Sequence, residues 1–357
     1  MRMRSSKKPT IVLVTLAVAV ALTSCGVKDT ATDSAESGEV TVMYQAGVVE
    51  EQFTKSVIDP FMEKFPDIKV TYIAKPNSAE MIAHLAATKG NPDVDVNLMS
   101  LGLAHGAAQY YAPLDPSKVP NMADVSPLGI VDGIPGPAVT FDNLTIMYNT
   151  EKVSSPPTVW EDLWDPMHKG KVAVNAAPNI LGTSLMLLMN DKAGASYKDS
   201  IEPGMQKIKE LAPSVQTWSP SPDAYTLTIN GELDVALGWN ARSQFYASQS
   251  DGKLGVVTPV EGSIFDMNMI NLIKGSKNSE AAQTFINYAL SPEAQTTYAE
   301  NMFYAPTNEK VKLSDAVASK LVATQTDRQK MMVVDWKFVA SKTNDWTRAW
   351  QTEVLSK

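Results

Sequence analysis

Few residues of this chain are spaced for covalent or metal chemistry. The histidines, His84, His105 and His168, have no cysteine or second histidine at ligand spacing, so no zinc pattern is present. There is no P-loop and no G-x-S-x-G elbow, and no Asp or Glu spacing singles out an acid/base pair. The expectation is a protein that is not an enzyme, with no catalytic residue, metal or cofactor. What remains is the chemistry of non-covalent capture. Arg242 lies three residues after Trp239, on the first turn of an expected helix. A guanidinium there can clamp a carboxylate through two parallel hydrogen bonds.

The first residues set the expected compartment. Arg2, Arg4, Lys7 and Lys8 precede an apolar run from Ile11 to Leu22, too short for a membrane span of roughly twenty residues. A basic start, a short apolar middle and small residues at the end describe a secretory signal peptide over residues 1–24. Leu22-Thr-Ser-Cys25 resembles the lipobox of bacterial lipoproteins, which implies cleavage before Cys25 and lipidation of its sulfur. Cys25 is the single cysteine, so no disulfide framework holds the fold. Residues 25–38 are small and polar and read as a flexible tether. The formal net charge is −8, or −12 without those four basic residues. Such a surface argues against a nucleic-acid partner, since phosphate binding needs clustered Lys and Arg. The chain is expected to be exported and lipid-anchored to the outer face of a bacterial membrane, as a monomer.

The mature chain alternates strand and helix patterns. Val40–Tyr44, Ile68–Ile73 and Val94–Met99 read as strands. Val49, Phe53, Val57, Phe61 and Phe65 recur at helical spacing between the first two. Asn77 with Glu80 predicts a capping box for the next helix. A second set follows: a strand at Lys171–Val174, helices around Leu181–Met189 and over Ala195–Leu211, and strands at Leu233–Gly238 and Leu254–Thr258. Two such α/β sets predict two lobes with mostly parallel sheets, and ligands of open sheets sit beyond the carboxyl ends of strands. Trp160 and Trp164 are expected to pack one helical face, and Trp336, Trp346 and Trp350 to form a packed C-terminal cap.

Several ordered segments carry a family resemblance. Tyr148-Asn149, Pro157–Trp164, Lys169–Val172, Ile229–Val235, Glu261–Ile270, Lys274–Asn278 and Ala281–Ala294 together resemble type II extracellular solute-binding proteins of ABC importers. They are most similar to the spermidine/putrescine-binding branch and its relatives. The resemblance covers nearly all of residues 39–305. It implies the α/β, two-lobed periplasmic-binding-protein type II fold with a ligand cleft between lobes. Lobe 1 is expected over 39–147 plus 267–312, and lobe 2 over 148–266 plus 313–357. The implied partners are a small-molecule amine or zwitterion, an ABC permease, and the membrane through lipid on Cys25.

By position against the polyamine-binding pattern, the ligand-binding residues are Tyr44, Phe141 and Asp142 in an aromatic turn, Trp239, Asn240, Asp266 and Asn268. Stacked aromatics and carboxylates suit a protonated amine. This chain departs from the branch, which has a Trp followed two residues later by an Asp where Asp266 and Asn268 stand. That loss of an aromatic wall counts against long polyamines. Arg242 and Asp266 on opposite sides of one cleft would hold a zwitterion, such as the ω-amino acid γ-aminobutyrate; a short polyamine such as putrescine is the other amine considered. Alternatives are a receptor for an aminophosphonate or ferric ion, or a ligand-sensing surface lipoprotein. Ferric-binding relatives use a consecutive tyrosine pair in the later lobe; Tyr110-Tyr111 falls earlier and reads as packing.

Overall fold

The computed structural model describes residues 38–322 and 325–356. The signal segment, Cys25 and the tether up to residue 37 lie outside the described residues. The last expected tether residue, Gly38, already opens the first strand.

Among the described residues there are twelve strands: β1 Gly38–Gln45, β2 Ile68–Lys75, β3 Val96–Ser100, β4 Tyr111–Ala112, β5 Ala138–Asn149, β6 Val172–Ala173, β7 Val215–Thr217, β8 Val235–Trp239, β9 Leu254–Val257, β10 Ser263–Ile273, β11 Ala305–Pro306 and β12 Met331–Met332. The main sheet path runs β2-β1-β3-β10-β5-β8-β6-β7. β1 pairs in parallel with β2 and β3, and β6 pairs in parallel with β7 and β8. Between these two parallel sets lie β5 and β10, antiparallel to each other and to their outer neighbours.

β5 changes partners along its length. Its first part pairs with β10 and β11 as far as Asn143; from Leu144 onward it pairs with β8 and β9. All but one of its residues are buried, the mark of a strand covered on both faces. That explains why a stretch so rich in polar residues, AVTFDNLTIMYN, still forms a core strand: its amides are held in the ladder and its polar side chains find internal partners. One is Thr145, whose hydroxyl donates to the Gly238 carbonyl at 3.1 Å.

Helices cover both sets. The period expected after β1 gives one continuous helical run: an α-helix at Val48–Phe53, a π-helical turn at Thr54–Ile58 and an α-helix at Asp59–Lys64. Phe53, Val57 and Phe61 are buried, and Phe61 meets Phe285 edge-on at 5.1 Å. Asn77 caps the helix Ser78–Thr88, its side chain accepting from the Glu80 N–H at 3.0 Å. The helix expected over Ala195–Leu211 occupies only Glu202–Leu211. Asn190 explains the shorter start: its amide donates to the Ala195 carbonyl and accepts from the Gly204 N–H, which fixes the intervening segment as a loop.

The tryptophans separate in a way their spacing does not show. Trp160–Trp164 is a 3-10 turn, and at three residues per turn positions four apart diverge. Trp160 is fully buried and donates from Nε1 to the Gly262 carbonyl at 2.9 Å; Trp164 stays half-buried and donates to Lys207. The C-terminal helix Trp336–Trp350 buries Trp336, Trp346 and Trp350. It packs on the helix Leu101–Ala107, with the Trp336 ring beside Gly102, as well as against Gly182 and Trp218 of the other set. The helix therefore spans both sets rather than covering the second alone. Gly182 is required there: a Cβ would lie 1.9 Å from the Asn175 carbonyl oxygen and 3.2 Å from Trp350.

Candidate functional site

Strand alternation builds the centre of the site. Asp142 lies opposite Asp266 and Thr140 opposite Asn268 in the β5–β10 ladder. Residues two apart share a face, so these four polar side chains project to one side of the sheet. Phe141 projects to the other, where its ring lies 4.9 Å from that of Phe265 and under the Arg328 guanidinium. The expected aromatic turn at Phe141-Asp142 is therefore mid-strand. Phe141 is fully buried, on the face opposite that of Asp142 and Thr140.

On the polar face, Asp266 is buried and both its carboxylate oxygens accept from the Ser100 hydroxyl at 3.1 Å. Asn268 donates to the Thr140 hydroxyl at 2.9 Å. Tyr44, near the end of β1, is buried, and its hydroxyl is 2.8 Å from that of Thr54 in the π-helical turn. Tyr44, Ser100, Thr140, Asn268, Tyr298 and Tyr304 line one cavity.

Arg242 approaches from the opposite set. It sits on the first turn of the helix Asn240–Ser248, which follows β8 directly. The Ala241 N–H beside it donates to Asp142 at 3.1 Å, tying the helix start to β5. Burial opposes the charge on Arg242, but Tyr225, Tyr304, Asp142 and Tyr298 around it outweigh that and hold it protonated more firmly than usual. Among the described residues none hydrogen-bonds or ion-pairs with its guanidinium. A guanidinium with five donors and no protein acceptor is equipped to bind an anion.

Asn240 and Trp239, two and three residues before Arg242, make contacts within the protein. Asn240 is buried and donates to the Lys320 carbonyl at 2.8 Å while accepting from Gln244. Trp239 ends β8 and is partly exposed, packed beside the main core; its carbonyl accepts from Ser243. The structure thus puts Tyr44 and Asn268 in the cavity lining, Asp142 and Asp266 on the same sheet face as Asn268, Arg242 close to Asp142 and to the lining residues Tyr298 and Tyr304, and Phe141 on the opposite face.

The carboxyls are far from their ordinary state. Burial pushes Asp142 up to about 8, against the Ala241 and Asn143 N–H groups, which favour its ionised form; Asp266 adds to the rise and Arg242 opposes it. Burial pushes Asp266 up to about 7, opposed by the Met267 N–H and the Ser100 hydroxyl. The sign for stability follows. A carboxyl raised on folding holds its proton in the native state between its unfolded value near 4 and its folded one, so its contribution falls as pH rises through that window. Chemical denaturation of Asp142→Asn from pH 4 to 8 should therefore show a flatter loss of stability than wild type. Parallel curves would remove Asp142 as a buried titrating group.

Ser100, Thr140, Tyr225, Tyr298 and Tyr304 were not legible as site residues. Ser100 carried a usable signal, since it immediately follows an expected strand, where open sheets bind ligands. The tyrosines carried none, because Tyr298 and Tyr304 reach the site from a helix and its exit, far along the chain.

Comparison with known proteins agrees with this architecture. The model of the bacterial extracellular solute-binding proteins matches residues 56–324. The spermidine/putrescine-binding periplasmic protein of Escherichia coli K12 is 26% identical over 189 residues, covering 53% of this chain and 51% of that protein. The chain thus spans about half the length of that curated relative. The gamma-aminobutyric acid-binding protein of Pseudomonas aeruginosa is 24% identical over 292 residues, 80% of this chain and 81% of that protein. The crystal structure of an ABC transporter from Clostridium perfringens ATCC 13124 superposes with a TM-score of 0.70 at 28% identity, covering 88% of this chain and 99% of that one. The fold is the two-lobed α/β fold of periplasmic binding proteins. With a buried polar chamber on two central strands and three quarters of its length matched, this chain belongs to the bacterial extracellular solute-binding proteins.

Proposed function

We propose that the chain is the substrate-binding protein of an ABC importer and captures a small amine-bearing solute in its interlobe cleft, with γ-aminobutyrate or a similar ω-amino acid as the ligand class. Export and a lipid anchor on Cys25 would hold it at the outer face of the membrane, and the lobes, over 39–147 plus 267–312 and 148–266 plus 313–357, would close on the ligand. One observation carries the ligand class. The Arg242 guanidinium has no acceptor among the described residues, and the buried Asp266 carboxylate is held by a hydroxyl rather than by a cation. A ligand with a carboxylate at one end and an ammonium at the other satisfies both. The likeness to a relative named for gamma-aminobutyric acid supports the reading, and the polyamine-named relative supports putrescine as the second candidate.

A panel of γ-aminobutyrate, putrescine and spermidine, read by thermal shift and calorimetry on the mature protein, tests this. At 100 times Kd a specific ligand stabilises by about 2.7 kcal/mol. A shift with γ-aminobutyrate supports the zwitterion reading. Spermidine shifting the melting temperature while γ-aminobutyrate does not would overturn it.

A further inference from the structure

Ser100 occupies an unusual junction. It ends β3 and caps the helix Leu101–Ala107, and its Oγ accepts from the Gly102 N–H at 3.3 Å. With that lone pair occupied, the hydroxyl hydrogen is directed at Asp266, spanning both carboxylate oxygens at 3.1 Å. The two residues stand on neighbouring strands, with Ser100 directly opposite Asn268 in the β3–β10 ladder. The other titratable groups acting on this locus are Asp142 from β5 and Tyr304 from the segment after the helix Pro292–Met302. Both are acidic, so neither favours the Asp266 carboxylate. Besides the Met267 N–H of its own strand, Ser100 is the group that does.

We propose that Ser100 is a positioning residue that aims Asp266 at a ligand ammonium and favours its ionised form, so that amine capture at mildly acidic pH is coupled to loss of a proton from the chamber. The coupling rests on the reading of the site as an amine receptor. In ligand-free protein at mildly acidic pH, Asp266 keeps its proton, because a lone buried carboxylate is poorly solvated. An arriving ammonium supplies the missing cation; the O–H bond of the carboxyl breaks, the proton leaves to solvent, and the charge-assisted hydrogen bond from the ligand replaces it. Ser100 sets where on the pH scale this exchange occurs. Removing its hydroxyl removes a donor that favours the ionised form, so the Asp266 midpoint must rise and the pH range of tight binding must move up with it.

The test uses the mature protein and its Ser100→Ala and Ser100→Thr forms. Carbon-detected NMR follows the Asp266 carboxyl in ligand-free protein, and calorimetry with γ-aminobutyrate from pH 5.5 to 8.5, in two buffers of different ionisation enthalpy, counts protons released. The expected result is an Asp266 midpoint higher in Ser100→Ala than in wild type and restored in Ser100→Thr. Wild-type affinity should fall by up to about tenfold per pH unit below the midpoint, with proton release on binding. In Ser100→Ala that fall should begin at higher pH. An identical Asp266 midpoint in wild type and Ser100→Ala overturns the role of Ser100, whatever ligand binds. Tight γ-aminobutyrate binding with no proton release and a flat pH profile overturns the coupling. If no amine binds at any pH, the receptor reading itself fails and the coupling with it, a result the NMR midpoint keeps separate from the role of Ser100.

Discussion

Arg242→Ala is expected to weaken γ-aminobutyrate binding by roughly 30-fold to a thousandfold or more, the range for truncating one partner of a buried charged pair at about 2–5 kcal/mol. Putrescine, which has no carboxylate, should bind this variant at least as well as it binds wild type. The physical reason is specific to the site: the guanidinium carries its charge among Tyr225, Tyr304, Asp142 and Tyr298 and has no hydrogen-bond acceptor among the described residues. Arg242→Lys should recover only part of the loss, because an ammonium cannot make the two parallel bonds of the guanidinium fork. Calorimetry on the three proteins measures both ligands. Unchanged γ-aminobutyrate affinity in Arg242→Ala would make Arg242 a component of the lobe contact and not of the binding site.

The largest stability effect is expected far from the ligand. Trp160→Ala should destabilise the fold by about 3–5 kcal/mol, the range for truncating a buried large aromatic. Trp160 is fully buried, and its Nε1 satisfies the Gly262 carbonyl just ahead of β10. Its backbone N–H is also taken by Glu261, at 2.8 Å, and Glu261 in turn pairs with Lys192 at 2.6 Å. The variant thus opens a cavity and leaves a buried carbonyl without its donor. Trp164→Ala, four residues on and half-buried, should cost markedly less. Urea denaturation of both separates them; equal losses would mean that the 3-10 turn does not divide the two rings between core and surface.

These two residues show how far the sequence could be read. Local pattern located β1, β2, β3 and β8 and the helical run after β1: β2 opens by alternating buried and exposed residues, whereas β3 and β8 are short runs buried on both faces. Trp160 and Trp164 defeated the same reasoning, since a spacing of four means one face only if the turn is α-helical. Arg242, Asp266 and Asn268 were singled out by their placement relative to strands, and the structure puts Arg242 just after β8 and the other two on β10; their role in binding is part of the proposal. Phe141 and Asp142, expected in a turn by position against the polyamine-binding pattern, lie mid-strand because the partners of residues 138–149 are in β8, β9, β10 and β11, which local sequence cannot supply. Tyr298 and Tyr304 reach the cavity through tertiary register alone, whereas Ser100 at least follows an expected strand.

β5 and β10 also fix the mechanics of the molecule. β10 pairs with β3 of one parallel set, β5 with β8 of the other, and the two pair with each other, so the sets share a laminate of hydrogen-bonded backbone where a multidomain protein would have a slack linker. Any rotation of one lobe against the other would have to flex that laminate, as a leaf spring bends. Such flexure would be easiest at the register shift between Asn268 and Met269, where the ladder is interrupted. Because Asn268 lines the chamber, the flexure and the recognition surface occupy the same few residues of backbone. A solute that contacts Asn268 touches the spring itself, which gives its binding energy the shortest lever by which to hold the lobes shut.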